Sequence, residues 1–343
     1  MGKVKMKKIL QAILSMVMVL TLMACQNQKE TVEKTPEETV ETKEPEVKKT
    51  TITLSFVGDI TLGNYAGQGY SGSFDQEYEN QGQDSTYFLK NVRSVFEKDD
   101  LTIANLEGPL TTSRDHAEKT FAFQGKPEYV NILKEGNIEA VTLANNHSRD
   151  HFEQGMQDTK DILDENQIEH FGYDESCIMD VQGVKIGFLG YSFPDSLTSE
   201  MSQAIMDLKK QSDLVIVYYH WGIERDQSPM ESQRSIAKKT IDTGADLVIG
   251  SHPHVLQGIE TYKGKQIVYS LGNFCFGGNK NPSDKDTMIY QHTFSFEDDQ
   301  LVKEDHEIIP CMISSTSSRN NYQPTIVDGD DAERVLSKVH NIE

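Results

Sequence analysis

The chain has 343 residues, 36% of them apolar and 25% charged, which suits one large or two modest soluble domains with a substantial core. Its formal net charge of −21 argues against a broad basic face for nucleic acid or anionic lipid. Four cysteines, Cys25, Cys177, Cys275 and Cys311, contain no CxxC pair, so neither a zinc ribbon nor a thioredoxin-type centre is expected.

Lys3, Lys5, Lys7 and Lys8 precede an apolar run from Ile9 to Met23 that is short for a transmembrane helix. This is the charged and apolar layout of a secretory signal. The run ends in Leu22-Met23-Ala24-Cys25, which resembles the bacterial lipobox. That resemblance implies that residues 1–24 are a signal peptide and that Cys25 is lipidated and becomes the first mature residue. The alternative is an uncleaved signal anchor. Either way, the rest of the chain faces away from the cytoplasm. Residues 25–50 are rich in Glu, Lys, Thr and Pro and offer too little apolar surface to offset chain entropy, so a disordered tether is expected there. Three cysteines remain, enough for at most one disulfide, and the sequence does not choose the pair.

From Thr51 the pattern becomes that of a folded domain. Ile52–Val57 reads as a strand, followed at once by Gly58-Asp59, and residues 67–84 read as a long Gly/Ser/Gln-rich loop. Tyr87–Lys98 has helical spacing. The strand Leu101–Ala104 ends in Asn105-Leu-Glu107. Lys126–Glu135 reads as a helix, and the strand Ala140–Ala144 runs into Asn145-Asn-His147. An amphipathic helix over Phe152–Asn166, a strand over Val184–Gly190 and a helix over Met201–Gln211 follow. The buried strand Leu214–Tyr219 ends in His220-Trp-Gly222, with Glu224 close behind. The helix Ser232–Thr243 leads to Leu247–Ile249, and Gly250-Ser-His-Pro-His254 completes that segment. Proline restricts the backbone, so His252 and His254 are expected on an extended, fixed loop. Gln266–Ser270 is a strand ending in Leu271-Gly-Asn273. Thr287–Phe296 alternates like an antiparallel strand that pairs with segments between 301 and 312, and Asp331–His340 reads as a terminal helix.

Strands alternating with helices, several of them apolar throughout, give an α/β class with covered sheets. In such sheets ligands collect beyond the carboxyl ends of strands. Here those ends carry Asp59, Asn105, Glu107, Asn145, Asn146, His147, His220, His252, His254 and Asn273. Each has an ordinary reading when taken alone: Asp59 as a cap, Glu107 and the asparagines as turn residues, the histidines as loop histidines, Trp221 as packing. Their coincidence on successive strand ends is what those readings explain poorly. Carboxylate, amide and imidazole donors suit one or two divalent ions such as manganese, iron or zinc. A histidine outside the ligand set can move a proton at a leaving oxygen, and His147 fits that part.

Val57-Gly-Asp59, Ala104-Asn-Leu-Glu-Gly-Pro109, Leu143-Ala-Asn-Asn-His147 with Asp150, His220-Trp-Gly-Ile-Glu224, Gly250-Ser-His-Pro-His254 and Tyr269-Ser-Leu-Gly-Asn-Phe274 together resemble the CapA family of poly-γ-glutamate capsule synthesis proteins. The family's fold is similar to calcineurin-like metallophosphatases. The resemblance implies a four-layer α/β/β/α sandwich over residues 51–300, completed by C-terminal strands and a helix over 301–343. It implies metal-ligand roles for Asp59, Glu107, Asn146, His220, His252 and His254, and a catalytic role for His147. Asn105, Asn145, Asp150, Trp221, Glu224 and Asn273 would surround substrate or ligands. Three places depart from the wider superfamily: Thr61 stands where Asp-x-His is usual, so one ligand is absent or supplied elsewhere, Asn105-Leu-Glu107 replaces the usual Gly-Asp-x-x-Asp, and Ser251 stands where many relatives have another histidine. The expectation is a lipid-anchored extracellular protein in the synthesis, export or anchoring of an anionic envelope polymer such as poly-γ-glutamate, with a metal-dependent hydrolase-like site. A non-catalytic subunit of a membrane polymer-synthesis complex is the alternative, and a secreted nucleotidase or phosphodiesterase the weaker one.

Overall fold

The computed structural model describes residues 47–339 and residue 342. The expected signal segment, Cys25 and residues 25–46 of the expected tether lie outside the described residues. Lys49 and Thr50, expected in the tether, belong to the first strand.

The chain opens with β1 (Lys49–Thr61), β2 (Asn64–Tyr65), α1 (Phe74–Asn80), α2 (Thr86–Leu89) and α3 (Arg93–Phe96). Next come β3 (Leu101–Leu106), β4 (Phe123–Gln124), α4 (Val130–Glu135), β5 (Ala140–Thr142), α5 (Phe152–Glu165) and β6 (Glu169–Phe171). The second half runs β7 (Cys177–Val181), β8 (Val184–Ser192), α6 (Ser199–Lys209), β9 (Leu214–His220), α7 (Glu231–Thr243), β10 (Leu247–Ser251), β11 (Ile259–Tyr262) and β12 (Lys265–Val268). It closes with β13 (Asn273–Phe276), β14 (Asp286–Glu297), β15 (Gln300–Met312), β16 (Thr325–Ile326) and α8 (Gly329–Lys338).

Two sheets form the centre. The larger runs β16-β15-β14-β1-β3-β5-β6, with β13 also on β1, and the smaller runs β11-β12-β10-β9-β8-β7. Strand alternation divides their side chains among three cores. Leu54, Phe56 and Ile103 of the larger sheet meet Ile186, Ile216, Tyr218 and Ile249 of the smaller in a core between the sheets. The opposite pleat of the larger sheet, with Val57, Ala104 and Val141, packs on Phe88, Leu133 and Leu163 from its helices. The opposite pleat of the smaller, with Val215, Val217 and Val248, packs on Ile205, Ile236 and Ile241. The result is the expected α/β/β/α stack.

Several local expectations are corrected. Residues 74–80 form α1 inside the expected loop: Ser73 caps it by accepting from Gln76 N at 3.2 Å, and Phe74 stacks on Phe88 with centroids 4.6 Å apart. The helix expected over 87–98 is two short helices, α2 and α3. Between them Asn91 donates to Gln323 and Thr325, so tertiary bonds to the C-terminal segment compete with continued helix. Strands β7 and β11 were not legible as strands; each occupies an edge of the smaller sheet. Cys177, Cys275 and Cys311 are all free thiols.

Candidate metal centre

Register builds the site. On the larger sheet Asp59 pairs with Asn105 on one side and Asn273 on the other. On the smaller sheet His220 pairs with Ser192 and with Ser251. Both rows sit towards the carboxyl ends of parallel strands except for Asn273, which does not end the strand before it as expected but opens β13 beside β1 after the chain crosses from the smaller sheet. Two glycines permit the close approach. A Cβ on Gly58 would collide with the Gly272 carbonyl, and one on Gly250 with that of Tyr269.

The His-Pro-His segment is not extended. His252 and His254 have φ of +95° and +56°. Non-glycine residues held there store roughly 1–3 kcal/mol each and persist only when surroundings fix them. The reversal of the chain around Pro253 turns His254 back onto the larger sheet. His254 Nδ1 lies 3.2 Å from Asp59 Oδ2 and 2.9 Å from Asn273 Oδ1. The backbone N–H of His252 donates to Asp59 Oδ2 at 3.3 Å.

Glu107 is fully buried, and neither of its carboxylate oxygens has a hydrogen-bond partner among the described residues. His220 Nε2 stands 3.4 Å from Oε1, and His254 Nε2 3.9 Å from it. Ligand atoms of Glu107, His252 and His254 all lie within 4.8 Å of one another. His220 Nε2 is also 2.7 Å from Asn146 Oδ1. Glu107 therefore faces two donor groups, His252 with His254 and His220 with Asn146. His252 Nδ1 is another buried atom without a partner among the described residues. Unpartnered buried carboxylate oxygens are costly unless a cation joins them, so this donor set fits a divalent ion.

Electrostatics agree. Burial and the Asp59 charge push Glu107 well above the usual carboxylate range. Burial works against ionised Asp59 as well, but the His254 bond and charge outweigh it and hold Asp59 low. Burial also opposes charge on His254, yet Glu107 and Asp59 raise it to about 10. Burial lowers His252 to about 4, helped by the His254 charge, and lowers His220 well below the ordinary imidazole range. Protein without metal thus keeps one imidazolium among carboxylates where a cation would sit.

A hydrogen-bonded frame holds these groups. Asn105 Nδ2 donates to Asp59 Oδ1 at 2.8 Å, and Asn145 Nδ2 donates to Asn105 Oδ1 at 2.9 Å. Asn145 Oδ1 accepts from the His147 N–H at 3.0 Å. His147 Nδ1 is 2.8 Å from Asp150 Oδ2, and burial lowers the His147 pKa. Asn273 sits beside His254, and exposed Glu224 lines the cleft mouth. Thr61 is buried, and its hydroxyl has no partner among the described residues. Trp221 does not join the surround: it stacks on Tyr219 with centroids 4.5 Å apart and donates to the Tyr269 carbonyl at 2.9 Å. It is a core residue, because the residue after His220 falls on the opposite pleat.

The cleft over the site has a volume of about 340 Å³ and is lined by His147, His254, Asn273, Glu224, Arg225 and Phe276, among others. Sequence reasoning missed Lys119, whose ammonium donates to the Asn146 carbonyl at 3.0 Å and pairs with Asp150. It gave no site role to Ser251, 3.0 Å from His220 Nδ1, or to three phenylalanines set against site histidines. Phe123 lies 4.4 Å from His147, Phe193 4.5 Å from His252 and Phe276 5.1 Å from His254, between ring centroids. Lys119 sits in an irregular loop with no period to flag it; Phe276 follows the quoted Asn273-Phe274 by two residues, the one signal available.

Residues 53–278 match the family model described as bacterial capsule synthesis protein PGA_cap. The chain belongs to this CapA family. It is 31% identical over 306 residues to the PGA biosynthesis protein CapA of Bacillus subtilis (strain 168), covering 80% of this chain and 77% of that protein. It is 30% identical over 272 residues to the capsule biosynthesis protein CapA of Bacillus anthracis, covering 70% and 64%. Among solved structures, it is similar to a hypothetical protein from Thermus thermophilus, at 15% identity and a TM-score of 0.45, covering 76% of this chain and 99% of that one.

Proposed function

We infer that this CapA-family chain is a lipid-anchored, outward-facing component of poly-γ-glutamate capsule synthesis that carries a metal-dependent hydrolytic site. The family membership and the names of its Bacillus relatives support the capsule role. The single observation that carries the metal reading is the buried, unpartnered carboxylate of Glu107 among His220, His252 and His254.

Glu107, His252 and His254, with Asp59, would hold one divalent ion, and His220 with Asn146 a second beside the same Glu107. When bound, such an ion supplies Lewis acidity for hydrolysis of a phosphoester or polymer bond. The chain's own groups do the remaining work. Asp150 accepts from His147 Nδ1, so neutral His147 presents Nε2 to the cleft as a proton acceptor. The imidazolium so formed is stabilised by Asp150 and returns its proton to the leaving oxygen. Lys119 neutralises Asp150 and fixes the Asn146 carbonyl, holding the loop in place.

The test uses the full-length chain in detergent, reconstituted with manganese, iron or zinc and assayed on a generic phosphodiester and on poly-γ-glutamate. Wild type is expected to retain metal and hydrolyse one of them, with His147→Ala inactive but metal-bound. Failure to retain any divalent ion would overturn the metal reading. Thr61, which puts a hydroxyl rather than an imidazole two residues beyond Asp59, favours the second reading: a scaffold subunit of the synthesis complex. Capsule loss in His252→Ala cells, with no hydrolysis by wild type on either substrate, selects the scaffold.

A further inference from the structure

A second and larger cavity, of about 830 Å³, opens between the far side of the Asn145–Asp150 loop and α6. Its floor is apolar and aromatic, with Leu189, Tyr191, Pro194, Met201 and Leu208. Its rim is acidic: Asp174, Asp195, Glu200 and Asp207. Asp174 and Asp195 have no ion pair among the described residues. The rim's one guanidinium, Arg149, is engaged by Glu153 at 3.2 Å and lies 4.8 Å over the Tyr173 ring. Tyr191 lines the cavity, and its hydroxyl is buried with no hydrogen-bond partner among the described residues. An apolar floor with Asp174 and Asp195 at its rim, neither ion-paired among the described residues, describes an interaction surface.

We propose that this cavity docks a basic amphipathic segment of a partner protein. Charge complementarity selects the occupant. The apolar side chains of such a segment cover Leu189, Met201 and Leu208, while its lysines or arginines meet Asp174 and Asp195. An anionic polymer is repelled by the same rim, so this cavity is not a continuation of the polymer's path. The surface also touches the metal centre from behind. Tyr173 Oη donates to the Asn145 carbonyl at 2.5 Å, and the Phe193 N–H donates to the His220 carbonyl at 2.8 Å. The docking assignment does not depend on metal being bound.

The experiment measures fluorescence anisotropy of a labelled synthetic Leu/Lys amphipathic peptide against the full-length chain. Leu/Glu and Ser/Lys peptides serve as comparisons. Saturable binding of the Leu/Lys peptide is expected, with each comparison peptide at least about tenfold weaker. Asp174→Lys with Asp195→Lys should weaken the Leu/Lys peptide roughly tenfold. Asp298→Lys with Asp299→Lys makes the same change of charge at the exposed β14–β15 turn and should leave binding unchanged. Equal weakening by the two double variants would reduce the effect to net charge and overturn the proposal. So would Ser/Lys binding as tight as Leu/Lys, or an absence of saturable binding.

Discussion

The two sheets bring different chemistry to one point. The larger supplies oxygen and amide groups, Asp59, Asn105 and Glu107, from β1, β3 and the turn after it, all tied by hydrogen bonds except Glu107. The smaller supplies imidazoles from the ends of β9 and β10, two of them on strained backbone. The oxygen half is set by strand register and by the hydrogen bonds that tie Asp59 to Asn105 and Asn105 to Asn145. The nitrogen half is set by a loop reversal stabilised by Asp59 and Asn273. A cation would add to the contacts that already join the halves, His254 and the His252 N–H on Asp59 and His220 against Asn146.

The largest effect that would break or support this picture is at Glu107. Glu107→Gln copies the protonated form that burial and Asp59 already favour. The metal-free variant should therefore melt within a few degrees of wild type, because no new buried charge or cavity is made. Its metal retention should fall at least about a hundredfold, since the residue common to both donor groups is lost. Wild type should gain about 2.7 kcal/mol with metal at a hundred times its dissociation constant, and the variant almost nothing. Metal content after dialysis, with melting curves in both states, checks this; undiminished retention removes Glu107 from the centre.

The imidazole half should respond unevenly. His254→Ala strips ionised Asp59 of its buried counter-charge and should destabilise the metal-free chain by roughly 3 kcal/mol. His252→Gly loses a neutral ring but releases the strain at φ +95°, so metal-free stability should change by no more than about 1 kcal/mol. Both should lose metal. Denaturant titration without metal separates them; equal destabilisation would contradict the charge arrangement.

pH sharpens the same contrast. His254 has a folded value of about 10, above its ordinary 6.5. Its stabilisation of the metal-free fold is therefore complete below about pH 6.5 and is lost as pH rises through about 10. Metal affinity runs the other way, because the imidazolium must deprotonate to ligate. Across that window affinity should rise by up to about tenfold per pH unit for one displaced proton. Calorimetry in buffers of different ionisation enthalpy reads the proton directly. A pH-independent affinity excludes His254 as a ligand. A smaller effect belongs to Lys119→Met, which removes a cation that lowers the His147 pKa. The His147 titration followed by NMR should move up, with the chain still folded.

Much of this centre was legible because apolar strands end abruptly in polar residues. Leu214–Tyr219 before His220 and Leu247–Ile249 before His252 needed no tertiary information. What was not legible depends on contacts distant in sequence. α1 forms in a Gly/Ser/Gln-rich stretch because Phe74 finds Phe88 and Tyr322. Lys119 acquires its role from a loop that folds back onto residues 146–150. The left-handed backbone of His252 and His254 opposes what proline at 253 dictates locally, and is held by Asp59 from another sheet.

Trp221 tests the border of the site at the smallest expected scale. It adjoins His220 in sequence, yet alternation sends it into the helix-covered core, where its indole N–H reaches the Tyr269 carbonyl. Trp221→Phe keeps the stack on Tyr219 and removes that one hydrogen bond, leaving the carbonyl unanswered. A loss of about 1–2 kcal/mol in denaturant stability follows. Metal affinity should be unchanged within about twofold, since a core substitution of this size leaves the His220 and Ser251 register intact. A tenfold fall in metal affinity at unchanged stability would instead place the indole in the liganding surround, and the division between core pleat and site pleat at the end of β9 would have to be redrawn.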